Sequence, residues 1–241
     1  MKIKISYASA DDIRRACLMV VFAGLVAGCT PRISPPAAVE HSQAPADFPE
    51  SYYQQAEAPG KKFLRVDPDR SLVVIVVRRD GPLARLGHDH VVASHDVRGY
   101  VDMAGDRADL YIPLDRLEVD EPNLRSEAGL TTQPSEEAVE GTRHNMLERV
   151  LESGRFPFAL MRITRRVTDR SKLSVTIALH GTMHTFEIPA QIETLPGGVE
   201  ISGQLMFNQS DFGIIPFSIL GGALQVQDRL DLRFRIFAGG S

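Results

Sequence analysis

The chain has no tryptophan and only two cysteines among its 241 residues. One of them, Cys17, lies in an apolar N-terminal stretch. If that stretch is removed, Cys29 is the one thiol left and no disulfide framework can form. There is no surplus of positive charge. Lys and Arg number 27 against 31 Asp and Glu, for a formal net charge of −4. That balance argues against a nucleic-acid partner, which favours a basic face. No apolar run reaches the roughly 20 residues that a transmembrane helix needs. Catalytic signatures are missing too. The sequence holds no G-x-S-x-G, H-E-x-x-H, G-x-x-x-x-G-K-[ST] or C-x-x-C. Asp211, Phe212 and Gly213 spell D-F-G, but no Gly-rich loop, V-A-I-K or H-R-D accompanies them. The chain is therefore not read as an enzyme.

What is present begins at the N-terminus. Lys2, Lys4, Arg14 and Arg15 precede an apolar run from Ala16 to Gly28. Its length fits the h-region of a secretory signal. It ends LVAGC, which resembles a bacterial lipobox, in which the cysteine is acylated and becomes the mature N-terminus. On this reading residues 1–28 are a lipoprotein signal peptide and Cys29 is the lipidation site. The alternative is a plain signal peptide with an incidental cysteine. Asp11 and Asp12 lengthen the n-region, which leaves the start codon open. Several acyl chains hold a protein on a membrane, since each buried CH₂ contributes about 0.8 kcal/mol. Thr30 follows the cysteine in place of Asp. By the sorting rule for such lipoproteins, this implies an exported, lipid-anchored protein at the outer membrane, facing the periplasm. Losing residues 1–28 removes four basic and two acidic side chains and leaves a net charge of −6. Residues 29–61 are rich in Pro and Ala and have no apolar period, so they read as a tether that cannot bury enough surface to fold. Tyr52 and Tyr53 are its only candidates for docking.

The remainder, 62–238, is one domain in length, and strict alternation dominates it. In KLSVTIALH the apolar residues are Leu173, Val175, Ile177 and Leu179. In HTFEIPAQI they are Phe186, Ile188, Ala190 and Ile192; in VEISGQLMF, Val199, Ile201, Leu205 and Phe207; in DRLDLRFRIF, Leu230, Leu232, Phe234 and Ile236. Period two with one polar face means half-buried antiparallel strands. SLVVIVVRRD and ADLYIPL add two more, and HGTM and LPGG supply hairpin turns. One helical insertion interrupts the pattern at about 135–152. Ser135 caps it, Gly141 is expected to break it, and Thr142 to cap a second helix. Met146, Leu147, Val150 and Leu151 form one stripe that covers an end of the sheet. The fold expected is all-β: an eight-stranded antiparallel lipocalin-like barrel with a short helical insertion. Such a barrel is just wide enough to be filled by side chains or to hold one small ligand. Composition leaves filled and hollow open.

Four segments in order carry a family resemblance: LGHDHVVASHDVRGYV, RHNMLERVLESGRFPFALMRIT, LHGTMHTFEIPAQI and NQSDFGIIPFSILGGALQVQDRLDLRFRI. Together they resemble the YceI-like family. The resemblance implies a lipocalin-like barrel, usually periplasmic, whose interior binds a long isoprenoid chain, and it implies no catalytic residues. Candidate lipid-facing residues are then Val175, Ile177, Leu179, Phe186, Ile188, Leu205, Phe207, Leu232 and Phe234. The partners implied are an apolar lipid and, through Cys29, a membrane. The lipoprotein N-terminus and the G-H-D-H at 87–90 depart from the simplest family pattern.

Three histidines fall within LGHDHVVASH, two of them spaced H-x-H. In a strand, residues two apart share a face. His88 and His90 would then lie together with Leu86 and Val92, with His95 opposite. His184 shares the parity of Phe186 and Ile188. So His88, His90 and His184 are expected at one inner mouth of the barrel. Three imidazoles suit Zn or Cu, and haem needs only one or two. The same residues read equally as headgroup contacts or as hydrogen-bonded structural histidines. Asp89 is set aside as a co-ligand, and His144 and His180 as outward. The segment SDFGIIPFSILGG, with Phe212, Ile214, Ile215, Phe217 and Ile219, is either a flap over one mouth or permanent core. Three functions therefore stand: a membrane-tethered lipid binder, a metal- or haem-binding barrel, and a filled structural or interaction barrel.

Overall fold

A computed structural model describes residues 44–55, 63–165 and 172–240. The lipobox, Cys29 and most of the tether lie outside the described residues. The strands are β1 (Phe63–Val66), β2 (Leu72–Val77), β3 (Arg79–Asp80), β4 (His90–Ser94), β5 (Arg98–Asp102), β6 (Arg107–Pro113), β7 (Glu118–Val119), β8 (Phe158–Arg165), β9 (Lys172–Leu179), β10 (Thr182–Leu195), β11 (Gly198–Asn208), β12 (Ser218–Ile219), β13 (Leu224–Val226) and β14 (Arg229–Gly239). Three short helices accompany them: α1 (Glu50–Gln55), α2 (Pro122–Glu127) and α3 (Glu136–Asn145).

The pairing β1-β5-β6-β8-β9-β10-β11-β14 closes on itself because β1 also pairs with β14. This is a closed eight-stranded antiparallel barrel with a lipocalin-like fold, as the alternation predicts. Closure removes the unpaired edges of an open sheet. The first three staves are each broken and re-aimed. β2 continues β1 along β14, β4 continues the β5 stave along β2, and β7 continues β6 along β4. A 3₁₀ turn at Pro68–Arg70 makes the first break, with Asp67 capping Asp69 N–H at 3.1 Å. Gly99 serves the second. Its φ is +140°, and a Cβ there would lie 2.1 Å from the Asp109 carbonyl oxygen. No other residue fits so close to the neighbouring strand.

The β9–β10 hairpin turns at His180 and Gly181, both with positive φ, as a two-residue type I′ loop requires. Pairing in β9–β10 puts Val175 opposite Phe186 and Leu173 opposite Ile188, with all four facing inward. The outward Thr176 and Thr185 hydroxyls meet at 2.8 Å. The run LVVIVV in β2 breaks the alternation for a reason. Its outward Val74, with Val91 and Ala93 of β4, is covered by Leu124 of α2. Strands covered on both faces read as continuous apolar runs.

Two expectations are corrected. Gly141 does not end the helix. α3 runs through it to Asn145 and continues as a single π-turn, Met146–Val150, while the Thr142 hydroxyl donates to Ala138 C=O at 2.8 Å. One glycine costs a helix only about 1 kcal/mol, and the Ser135 cap, which accepts from Ala138 N–H, still starts it. The tether expected over 29–61 also gives way at 44–55. Phe48 and Tyr53 are buried against the outer face of β5–β6, where the Phe48 and Tyr111 rings stand 4.8 Å apart, as do those of Tyr53 and Tyr100. The Tyr53 hydroxyl donates to Asp109 at 2.6 Å and the Tyr52 hydroxyl to Asp102 at 2.8 Å. Five aromatic rings, with the Tyr52 and Tyr53 hydroxyls anchored, are enough to dock α1, which composition averaged over the segment hides.

Candidate functional site

The inward faces of the staves enclose an apolar cavity of about 160 Å³ along the barrel axis. Of the nine residues proposed to face a lipid, eight line it; Phe186 instead packs beside it with Phe207 and Phe212. Ser94 is the one polar residue in that wall. A second chamber of about 210 Å³ lies toward the α3 end and shares Ile75, Val92, Leu117, Leu151, Leu179 and Phe207 with the first. Met146, Val150 and Leu151 roof it, and Leu147 is buried beside them, so the predicted stripe does cover an end of the barrel. The upper chamber also meets polar groups, namely His90, Thr142, Asn145 and Gln209.

The loop SDFGIIPFSILGG divides its work. Phe212 and Ile214 are buried in the cluster around Phe207 and Leu230, and Phe217 lines the upper chamber. Ile215 is 84% exposed and Leu220 70% exposed, on the outer side of the same segment. Leu86, 65% exposed, is carried by a 3₁₀ turn that packs on β13 of the small sheet β12-β13-β3. The upper end of the barrel is thus lined largely by apolar side chains inside and carries apolar side chains outside.

The histidines are arranged differently from the parity expectation. His90 begins β4 and faces the upper chamber, but residues 84–86 form a 3₁₀ turn and 87–89 are not strand, so the strand parity does not extend to His88. His88 is exposed, with its ring 6.4 Å from that of His90. His184 does share the face of Ile177 and Phe186, but at the exposed rim, where it stacks on Phe186 at 4.6 Å. Among the described residues, the group of His, Cys, Asp or Glu close enough to share a metal is His95, Glu118 and Glu121, with ligand atoms within 4.8 Å of one another. The trio His88, His90 and His184 is not gathered. His95 and its carboxylates sit on the outer surface, away from both chambers. His144 is exposed, and His180 reaches Glu152 at 3.2 Å.

The G-H-D-H segment is instead a latch. His90 Nδ1–H donates to Asp120 Oδ2 at 2.6 Å, and Val91 N–H donates to Asp120 Oδ1 at 3.0 Å. Arg125, 1% exposed, donates to Asp120, to the Asp89 carbonyl at 2.8 Å and to the Thr132 carbonyl. Burial pushes the Asp120 carboxyl up, but the bonds from His90, Val91 and Arg125 outweigh it and hold the group below the usual carboxylate range. Asp89 accepts from Arg79 N–H at 2.9 Å and from Arg78 at 3.3 Å. So both acids are spent on structure, and His90, tied through Nδ1 to Asp120, lines the upper chamber. Sequence reading missed Asp120 and Arg125. Charged residues are rarely buried, and nothing in VDEPNLR marks these two as exceptions.

On the outside, a larger groove of about 1250 Å³ runs between residues 44–50, β1 and the β4–β5 turn. Its walls carry Arg65, Arg98, Asp67 and Glu118 and it is open to solvent, so it gives an apolar molecule no enclosure. Among the described residues, no helix is long and apolar enough to cross a membrane.

Comparison with known proteins follows the same geometry. Residues 65–238 match a family described as "YceI-like domain". A polyisoprenoid-binding domain from Saccharophagus degradans, implicated in plant cell wall breakdown, is 12% identical; it aligns over 76% of this chain and 100% of its own, with a TM-score of 0.54. BcnA of Burkholderia cenocepacia is 14% identical over 72% of this chain and 99% of its own, with a TM-score of 0.49. No curated protein sequence matches.

Proposed function

The chain belongs to the YceI-like family, and on that premise we propose that it is a binding protein, not an enzyme, that holds an isoprenoid or similar apolar lipid inside its barrel. The observation that carries this reading is the pair of adjoining chambers, of about 160 and 210 Å³, that share apolar wall residues. An apolar cavity of roughly that first size stays dry and takes up small hydrocarbons. A prenyl chain inside gains about 25 cal/mol for each Å² of apolar surface removed from water. The description of the Saccharophagus degradans domain as polyisoprenoid-binding supports the ligand class. The lipobox-like LVAGC supports export and anchoring through acylated Cys29, at the outer membrane facing the periplasm. Exposed Ile215, Leu220 and Leu86 beside the roofed end support lipid exchange near a membrane surface. The three-histidine metal alternative loses its motive, because His88, His90 and His184 do not converge.

The test is native mass spectrometry of the full-length protein extracted in mild detergent from its own host. An adduct with the mass of an isoprenoid lipid is expected. A bare chain that also takes up no added polyprenyl compound rejects the reading in favour of a filled scaffold. An adduct with the mass of a metal or haem rejects it in favour of a metalloprotein. Replacing Cys29 by Ser should move the protein from the membrane fraction to the soluble one.

A further inference from the structure

One polar atom in the lower chamber has no use in a pure hydrocarbon site. Ser94 ends β4 and is 1% exposed, and among the described residues its Oγ makes no hydrogen bond. Its direction is fixed by the strand. Val91 and Ala93 are buried outward beneath α2, so His90, Val92 and Ser94 face the interior. Four residues of strand place Ser94 about 13 Å along β4 from His90. A buried hydroxyl without a partner carries its full desolvation cost, and a ligand oxygen would remove it. The wall around it contains no charged residue. A phosphate or carboxylate brought there would be an unpaired buried charge and is excluded. A carbonyl or hydroxyl is not.

We propose that Ser94 receives a neutral oxygen function of the ligand, so that the lipid enters oxygen end first and its hydrocarbon tail trails past Phe207 and Leu151 into the upper chamber. This rests on the reading of the barrel as a lipid site. It narrows the ligand class to uncharged prenyl ketones, ring carbonyls or alcohols, and it gives the lipid a direction.

The test uses full-length protein and two probes of similar length, geranylgeranylacetone, which ends in a ketone, and the branched hydrocarbon phytane. Ser94→Ala should weaken the ketone about tenfold, the size expected for one net hydrogen bond, and leave phytane nearly unchanged. Ser94→Thr, which keeps the hydroxyl, should retain the preference. The infrared carbonyl band of the bound ketone should sit at a hydrogen-bonded frequency in the wild type and return to its apolar-solvent position in Ser94→Ala. Equal effects of Ser94→Ala on both probes, or an apolar-solvent band already in the wild type, would overturn the assignment while leaving the lipid-binding reading intact. Binding of neither probe by the wild type would overturn both.

Discussion

Replacing Asp120 by Asn tests whether the G-H-D-H segment is a structural latch. The side chain is fully buried, and it faces His90 Nδ1 at 2.6 Å, Val91 N–H at 3.0 Å and the buried Arg125 guanidinium. Asp120 has a φ of 60°. Asn tolerates that left-handed conformation as well as Asp does, so the substitution removes the charge and keeps the turn. The amide oxygen still accepts from Val91. Arg125 bonds the same oxygen as Val91 and keeps an acceptor there, and His90 must switch to its Nε2–H tautomer to accept from the amide NH₂, but Arg125 is left as an uncompensated buried charge. Breaking one side of a buried pair costs about 3–5 kcal/mol, and the retained backbone bond argues for about 3. With a urea m-value of roughly 2 kcal/mol/M, the midpoint should fall by about 1.5 M. Far-UV circular dichroism is the suitable probe, since there is no tryptophan to report. Adding Arg125→Met should recover part of the loss, because the orphaned charge goes with it. A midpoint that falls by less than about 0.4 M, or a double variant whose losses simply add, would refute the latch.

Three further outcomes are expected. Tyr53→Phe removes one bond to Asp109 but leaves Arg107 at 2.6 Å and Arg162 at 3.1 Å; it should cost about 1 kcal/mol, and a thermal midpoint equal to the wild type would reject the docking of α1. Ala159 lines the lower chamber, whereas Ala178 faces outward between Ile177 and Leu179; Ala159→Trp should abolish lipid uptake in native mass spectrometry and Ala178→Trp should not, and equal behaviour would contradict the assigned faces. Acid should destabilise the fold. The Asp109 and Asp120 carboxyls are both held low in the folded chain. Their contribution is therefore complete above the unfolded carboxylate value of about 3.9 and is lost as pH falls through the lower folded values. Urea midpoints measured from pH 7 to pH 3 should drop below about pH 4, less steeply in Asp120→Asn.

The barrel was legible because one face of each long stave is apolar and the other polar. Leu173, Val175, Ile177 and Leu179 sit two apart, and a shift of one residue would turn them all to solvent. What was not legible is where the chain covers its own outer surface. Val74, Val91 and Ala93 lie under α2, and Tyr100 and Tyr111 under Phe48 and Tyr53. A period-two pattern reports a strand's two faces but not what lies on them. For the same reason the segment around α1 read as tether. Its two buried aromatics are diluted by Pro, Ala and Gln, and no local rule distinguishes a docked tyrosine from a solvated one.

The histidines show where parity stops being an argument. It held for His184, whose strand is continuous, and it still did not make a site, since a shared face says nothing about depth; the ring lies at the exposed rim. It failed for His88 because the strand begins only at His90. The informative partner of His90 was thirty positions away, at Asp120. In the strand that His90 begins, parity holds for His90, Val92 and Ser94, which all face the interior. Ser94 drew no notice in the sequence, since serine is common in strands and turns alike. Its significance comes from a burial of 1% exposed and from the want of any partner, two properties that no pattern of residue types contains. Among the described residues it is the buried hydroxyl without a hydrogen bond, and its wall of the lower chamber is otherwise apolar; three imidazoles that share a pattern in the sequence but do not converge carry less information about what the barrel can hold.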